Sequence, residues 1–170
     1  MAMVLGEEMG EYIALHLRRD GYDTFCRSEE ERWQRGRGKT RFGFRPTMAA
    51  CFASLEELLT SLSMAVAFSE SRTLFVATNS RDIQEVLQLK DAVKASFGIS
   101  VKTFEDLPQQ MAPPEIQPLL ELLLCAKATT FVGNAISTFS MNVLMERDLV
   151  GKSRNSTIFQ GLGSYEHWGR

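Results

Sequence analysis

Phe131-Val-Gly-Asn-Ala-Ile-Ser-Thr-Phe-Ser-Met-Asn-Val-Leu-Met-Glu-Arg147 reads as a strand, a turn and a helix in immediate succession. The apolar β-type run Thr130-Phe131-Val132 comes first. Gly133-Asn134 follows, two residue types that tolerate positive φ, so a sharp turn is predicted there. Ser137, Thr138 and Ser140 then lead into an amphipathic helix predicted to end near Arg147. A helix that starts just past a strand and a small-residue turn offers free backbone N–H groups and the positive end of its dipole. Together these suit an anion, most often a phosphate. The Ser137 and Thr138 hydroxyls can cap the helix or donate to phosphate oxygens; a Ser/Thr N-cap with no ligand has the same local pattern.

Working outward, the same alternation recurs. Tyr12-Ile-Ala-Leu-His-Leu-Arg18 has the near-continuous apolar character of a buried parallel strand, with polar groups only at its C-terminal end. His16 and Arg18 lie two apart and so share a face. In an open α/β sheet ligands sit beyond the carboxyl ends of the strands, which is where this pair falls. Residues 21 to 47 are polar and uneven, Asp23 to Pro46 is read as a loop, and the Gly and Arg content from Arg35 to Arg45 predicts that this part is mobile. Apolar residues at spacings of three and four predict one helix from Met48 to about Ser69. Thr73 to Thr78 is a second strand, Asp82 to Phe97 a helix, and Ile99 to Phe104 a third strand. Glu105 to Pro114 is loop-like, and Glu115 to Lys127 is a helix. The segment after Arg147 is predicted to wrap the surface. Strands alternating with helices imply an α/β fold, a Rossmann-like parallel sheet with flanking helices and right-handed crossovers. The GxGxxG dinucleotide fingerprint is absent.

At 170 residues the chain suits one domain, taken as 1–170. Its 44% hydrophobic and 24% charged residues are those of a globular protein, and a net charge of −2 argues against broad binding to nucleic acid or anionic lipid. No apolar run approaches the roughly 18 to 20 residues that span a bilayer. The N-terminus has no basic start and no sustained apolar core, so no signal peptide is visible. Cys26, Cys51 and Cys125 lack CxxC spacing and His partners, which disfavours a zinc site; one disulfide with a free thiol and three free thiols both stay open. There is no DxD and no ligand cluster, so no metal is implied and no cofactor is expected. Asn155-Ser-Thr is a glycosylation acceptor pattern that matters only in a secretory chain.

Three separated motifs then line up in order: His16-Leu-Arg-Arg; Phe75-Val-Ala-Thr-Asn; and Glu121-Leu-Leu-Leu-Cys-Ala-Lys-Ala with Phe131-Val-Gly-Asn-Ala-Ile-Ser-Thr-Phe-Ser. This combination resembles the GDP-fucose-dependent protein O-fucosyltransferases, most closely the second type, which acts on thrombospondin type 1 repeats. The resemblance runs from about Tyr12 through Met145-Glu-Arg-Asp-Leu-Val-Gly to His167-Trp168, and is weakest from Asp23 to Pro46.

What the resemblance implies is an inverting transferase of GT-B architecture, in which two Rossmann-like halves face a cleft. The matched region corresponds to the C-terminal, donor-binding half, so the chain reads as a fragment lacking the N-terminal half. In second-type enzymes that missing half supplies a glutamate base. By the resemblance, Arg18 contacts the donor pyrophosphate and steadies the departing GDP, and His16 lies against the nucleotide. Ser137, Thr138, Phe139 and Ser140 supply phosphate and ribose contacts, and Glu121 recognises guanine. Two positions depart from the family pattern, which has Asp where this chain has Glu121 and Asp where it has Asn79. The implied donor is GDP-fucose, and the implied acceptor is a Ser/Thr hydroxyl of a protein domain, such as a thrombospondin type 1 repeat. The implied location is the endoplasmic reticulum or secretory pathway. A catalytically inactive nucleotide-binding or interaction module, and a related glycosyltransferase using another nucleotide sugar, are the alternatives.

Overall fold

The computed structural model describes residues 9–35, 48–107, 113–161 and 163–164. Its centre is a sheet whose strands are β1 (Ile13–Leu17), β2 (Thr73–Thr78), β3 (Ser100–Thr103), β4 (Thr130–Gly133), β5 (Thr157–Phe159) and β6 (Gly163–Ser164). The spatial order is β3-β2-β1-β4-β5-β6. Every pairing from β3 to β5 is parallel, and β6 alone runs antiparallel, against β5. Strand order reverses beside β1, so β1 and β4 flank the switch point, where an α/β sheet splays open at its carboxyl edge. The predicted α/β Rossmann-like fold is the fold observed.

The helices are α1 (Asp23–Gln34), α2 (Met48–Cys51), α3 (Leu55–Ala67), α4 (Ile83–Phe97), α5 (Gln117–Lys127) and α6 (Thr138–Leu149). The central strands are buried on both faces, as their unbroken apolar runs require. One face packs Ile13, Leu15 and Leu17 with Leu58 and Leu62 of α3 and Leu89 and Val93 of α4. The other packs Ala14, Phe75 and Phe131 with Leu124 and Cys125 of α5 and Val143 of α6. Asp82 caps α4 by accepting from the Gln84 and Glu85 amides, and Gly98 closes it in the left-handed region, where only glycine is unstrained.

Four expectations need correcting. The segment after Asp23 is not loop throughout: it forms α1. Cys26 and Glu29 are buried, and Asp23–Arg27 and Glu31–Arg35 pair one turn apart. Most of the Gly/Arg segment lies outside the described residues. The predicted helix from Met48 to Ser69 is two helices, because Ser54 starts a new one with a capping box. Ser54 Oγ accepts from the Glu57 amide (3.2 Å), and Glu57 Oε2 accepts from the Ser54 amide (2.7 Å). The segment after Arg147 does not simply wrap the surface: Thr157, Ile158 and Phe159 are buried as a core strand beside β4. His167 and Trp168 lie outside the described residues. Finally, Gly133 does not adopt positive φ. It is required by space, since a Cβ there would sit 2.8 Å from Cε1 of Phe131 and 3.3 Å from Cε1 of Phe159.

Candidate functional site

The turn between β4 and α6 is built by Asn134, which is wholly buried. Its Oδ1 accepts from the Ile136 amide (3.0 Å) and its carbonyl from the Ser137 amide (3.2 Å), so the side chain makes the turn that positive φ was expected to make. Its Nδ2 donates to the Cys51 carbonyl (2.8 Å), anchoring the turn to α2. The Asn134 amide donates to Ser140 Oγ (2.9 Å), and Ser140 Oγ lies 2.8 Å from His16 Nδ1. The last residues of β1 and the first turn of α6 are thereby joined through one hydroxyl. Phe139 lies against the His16 ring, with centroids 4.4 Å apart. Burial, with the Arg18 charge second, lowers the His16 pKa to about 3, so the imidazole is neutral at physiological pH. Of the residues heading α6, Ser137 and Ser140 are buried and Thr138 is exposed. Ser137 occupies the N-cap position without a side-chain capping bond, so its hydroxyl is not committed to the helix.

Arg18 leaves the sheet just past β1. Its guanidinium lies 4.9 Å from the centre of the Tyr22 ring, and Tyr22 Oη donates to the Ile136 carbonyl (2.8 Å). Among the described residues, Arg18 Nε is buried without a hydrogen-bond partner. A buried N–H donor without an acceptor is costly, and native structures seldom keep one unless something else fills the place. Arg19 behaves differently. It ion-pairs with Glu85, donates from Nη2 to the Ala53 carbonyl (2.9 Å) and is committed to the fold. It borders a cavity of about 210 Å³ lined also by Leu17, Leu58, Glu85 and Leu89, which none of the expected site residues lines. Asn79, one of the two departures, accepts from the Arg19 amide (2.9 Å) and donates to the Asp20 carbonyl (3.3 Å). An aspartate could do only the first.

Glu121 lies one turn into α5, which packs on the same sheet face as His16, and so stands near the carboxyl edge. It is buried, and burial raises its pKa to about 7; the Gln117 amide, 3.1 Å away, pulls it down, and the Glu105 charge adds to the rise. The structure thus brings His16, Phe139 and Ser140 into contact and places Arg18, Ser137 and Glu121 at the same edge. No group of three or more His, Cys, Asp or Glu residues able to hold a metal occurs among the described residues.

Sequence reasoning missed two supports of this site. Gln160 is wholly buried and donates from Nε2 to the His16 carbonyl (2.7 Å). Tyr22 gave no signal in a polar, uneven segment. A further support, the disulfide between Cys26 and Cys51 that joins α1 to α2, is the alternative of one disulfide and one free thiol that the sequence left open without naming the pair; Cys125 is free and buried.

A parallel sheet with a strand-order reversal and helices on both faces is the Rossmann-like architecture of one half of a GT-B fold. The particular family follows from sequence: residues 2–150 match the model for GDP-fucose protein O-fucosyltransferase, and the chain belongs to that family. GDP-fucose protein O-fucosyltransferase 1 of Caenorhabditis elegans is 27% identical over 116 residues, 68% of this chain and 27% of that protein. Among solved structures, POFUT1 in complex with GDP superposes with a TM-score of 0.67 at 22% identity, covering 95% of this chain and 46% of that one. POFUT1 in complex with GDP-fucose does so with a TM-score of 0.68 at 21% identity, covering 95% and 45%. The fold is therefore shared, and the chain spans about half the length of these solved relatives. These relatives are of the first type; similarity to the second type rests on the motifs alone.

Proposed function

We propose that this chain is the donor-binding half of an inverting protein O-fucosyltransferase. It holds GDP-fucose while fucose passes to a Ser/Thr hydroxyl of an acceptor protein domain, such as a thrombospondin type 1 repeat, in the lumen of the endoplasmic reticulum. The observation that carries this is Arg18, whose Nε is buried and, among the described residues, unpartnered at the carboxyl end of β1. A diphosphate oxygen there would supply the missing acceptor. As the bond between the fucose anomeric carbon and the β-phosphate oxygen breaks, its electron pair goes to that oxygen. The fixed cation opposes the growing negative charge. The acceptor hydroxyl attacks the carbon from the opposite side, which inverts the anomeric centre, and passes its proton to a base outside these residues, by the family resemblance a glutamate of the other half.

The other residues take supporting roles in this reading. Neutral His16 packs against the nucleotide, held by Ser140 and Phe139. Ser137, Thr138 and the first amides of α6 face the phosphates and ribose. Glu121, as a carboxylate, accepts from guanine N1–H and the exocyclic amine. The disulfide supports a lumenal location, since disulfides persist in oxidising compartments. A second reading is nucleotide binding without transfer.

Calorimetric titration of GDP into the wild-type chain, Arg18→Ala and Arg18→Lys tests the site. One or two charge-assisted hydrogen bonds at about 1.5–3 kcal/mol each predict a loss of at least roughly tenfold in Arg18→Ala. Lys should recover part of it, lacking the planar fork. Wild type that ignores GDP would end the donor reading, and Arg18→Ala binding like wild type would remove Arg18 from it. Turnover of GDP-fucose on an acceptor domain separates the transferase from the binding module.

A further inference from the structure

We infer that Asn155 is an N-glycosylation site, carrying an oligosaccharide at the sheet edge opposite the donor site. Asn155-Ser156-Thr157 is the only Asn-X-Ser/Thr sequence in the 170 residues, and the middle residue is not proline. The inference takes its lumenal location from the reading above and from the Cys26–Cys51 disulfide. Three features of the fold let the site be used.

Asn155 sits in the single 3-10 turn Arg154–Ser156 that leads into β5, and its side chain is exposed. The turn is held by its neighbours. Ser153 Oγ accepts from the Asn155 amide (3.3 Å), while Ser156 Oγ accepts from Arg147 Nη2 (2.6 Å) and donates to the Ser153 carbonyl. The Asn155 carboxamide can therefore be modified without removing a bond that shapes the turn. Thr157, by contrast, is buried in β5 with its hydroxyl accepting from Arg147 Nε (3.2 Å). A glycosylating enzyme must read that hydroxyl before β5 joins the sheet, so modification precedes folding, and the exposed asparagine lets the modified chain fold afterwards.

The third feature is placement. The turn precedes β5, so it lies at the amino edge of the parallel sheet, whereas His16, Ser137 and Ser140 lie at the carboxyl edge. The three residues of β5, rising about 10 Å, separate the two edges. A glycan at Asn155 is therefore attached at the edge away from the proposed donor site. In the transfer, Asn155 Nδ2 bonds to C1 of the oligosaccharide and loses a proton. The bond from C1 to the lipid-linked pyrophosphate breaks, and the pyrophosphate leaves with the electron pair.

The test is synthesis of the full chain behind a cleavable signal and a reporter glycosylation sequence in a eukaryotic secretory system. Only molecules carrying the reporter glycan, and hence exposed to the lumen, are counted. We expect most of these to carry a second glycan. Peptide N-glycosidase F should remove it and convert Asn155 to Asp in the peptide mass, and Asn155→Gln should abolish it. GDP binding by Asn155→Gln should match wild type. Reporter-marked, disulfide-bonded chains with Asn155 unmodified, or a second glycan that survives Asn155→Gln, would overturn the inference. Wild type that carries the glycan yet ignores GDP would overturn the donor reading alone.

Discussion

At the scale of single residues, two buried ionisable groups set expectations of different kinds. Arg147 is 1% exposed and meets no carboxylate among the described residues. Its guanidinium instead donates to the carbonyls of Ala126 (3.1 Å), Ala128 (2.7 Å) and Ser156 (3.0 Å) and to two hydroxyls, tying the end of α5 and the start of β4 to the turn before β5. Burial lowers its pKa only to about 10, so it stays charged at neutral pH. Arg147→Met strands these acceptors and should cost about 3–5 kcal/mol in thermal or urea unfolding; a loss below about 1 kcal/mol would mean that water serves them equally well. Glu121 works through pH. Its folded pKa, about 7, lies above its ordinary 4.5, so the folded chain binds the proton more tightly. The stability this contributes is present at low pH, fades as pH rises through that interval, and is gone above about 7, a decline on the order of 2–3 kcal/mol that Glu121→Gln should flatten. GDP should move the other way. Guanine needs the carboxylate, so affinity should climb between pH 6 and pH 8 by roughly tenfold in wild type and stay level in the Gln variant. Parallel pH profiles in the two proteins would remove Glu121 from guanine recognition.

Elements were legible in the sequence where apolar pattern alone sets them, and illegible where a contact from afar does. The strand Thr73–Thr78 and, but for its last residue Gly133, the strand Thr130–Gly133 followed from unbroken apolar runs, and the helix from Asp82 followed from its apolar face. The short strand Thr157–Phe159 did not, because three residues between polar turns carry no period, and only β4 beside them makes them a strand. The first helix was hidden in the same way: its polar sequence is stabilised by a disulfide and by Tyr22 and Phe25 packing near Ile136. At the candidate site, His16, Arg18 and the Ser-Thr-Phe-Ser segment could be placed from sequence because they end a strand or begin a helix. Asn134 and Gln160 could not, since their roles are hydrogen bonds to Cys51 and His16, far away in the chain. The strand-to-helix junction is where element and site meet, and Gly133→Ala probes it. The new methyl would meet the pinned Phe131 ring at 2.8 Å, so a loss of about 1–3 kcal/mol is expected. Trimming the ring with Phe131→Leu should make the glycine substitution cheaper than it is alone. Additive losses in the double variant would place the strain elsewhere.

For the molecule as a whole, the carboxyl edge of the sheet, where the donor is proposed to sit, is finished by helices outside the sheet. Helices α1 and α2 are tied to each other by Cys26–Cys51, and they meet that edge through Tyr22 Oη on the Ile136 carbonyl, the Asn134 carboxamide on the Cys51 carbonyl and the packing of Cys26, Ala50 and Cys51 on Ile136. The disulfide closes a loop with a sequence separation of 25, which in the chain-entropy account is worth about 3.5 kcal/mol. Most of that should appear as a lower unfolding midpoint on reduction. The structure adds a local consequence. Once the bond opens, α1 loses its covalent tie to α2, and with it the Tyr22 ring under Arg18 and the anchor of the β4–α6 turn lose a common restraint. Donor binding should therefore weaken even at temperatures where the reduced chain is fully folded. The measurement is GDP titration of the oxidised chain, the dithiothreitol-reduced chain and the Cys26→Ser/Cys51→Ser variant, with circular dichroism confirming that each is folded at the titration temperature. Reduced and double-serine chains should agree with each other and bind GDP less tightly than the oxidised chain. Buried Cys125 should stay unreactive to thiol reagents in all three until they unfold. If the folded, reduced chain binds GDP as tightly as the oxidised one, the disulfide stabilises the fold but does not shape the site, and the hydrogen bond from Asn134 to the Cys51 carbonyl suffices to hold the turn.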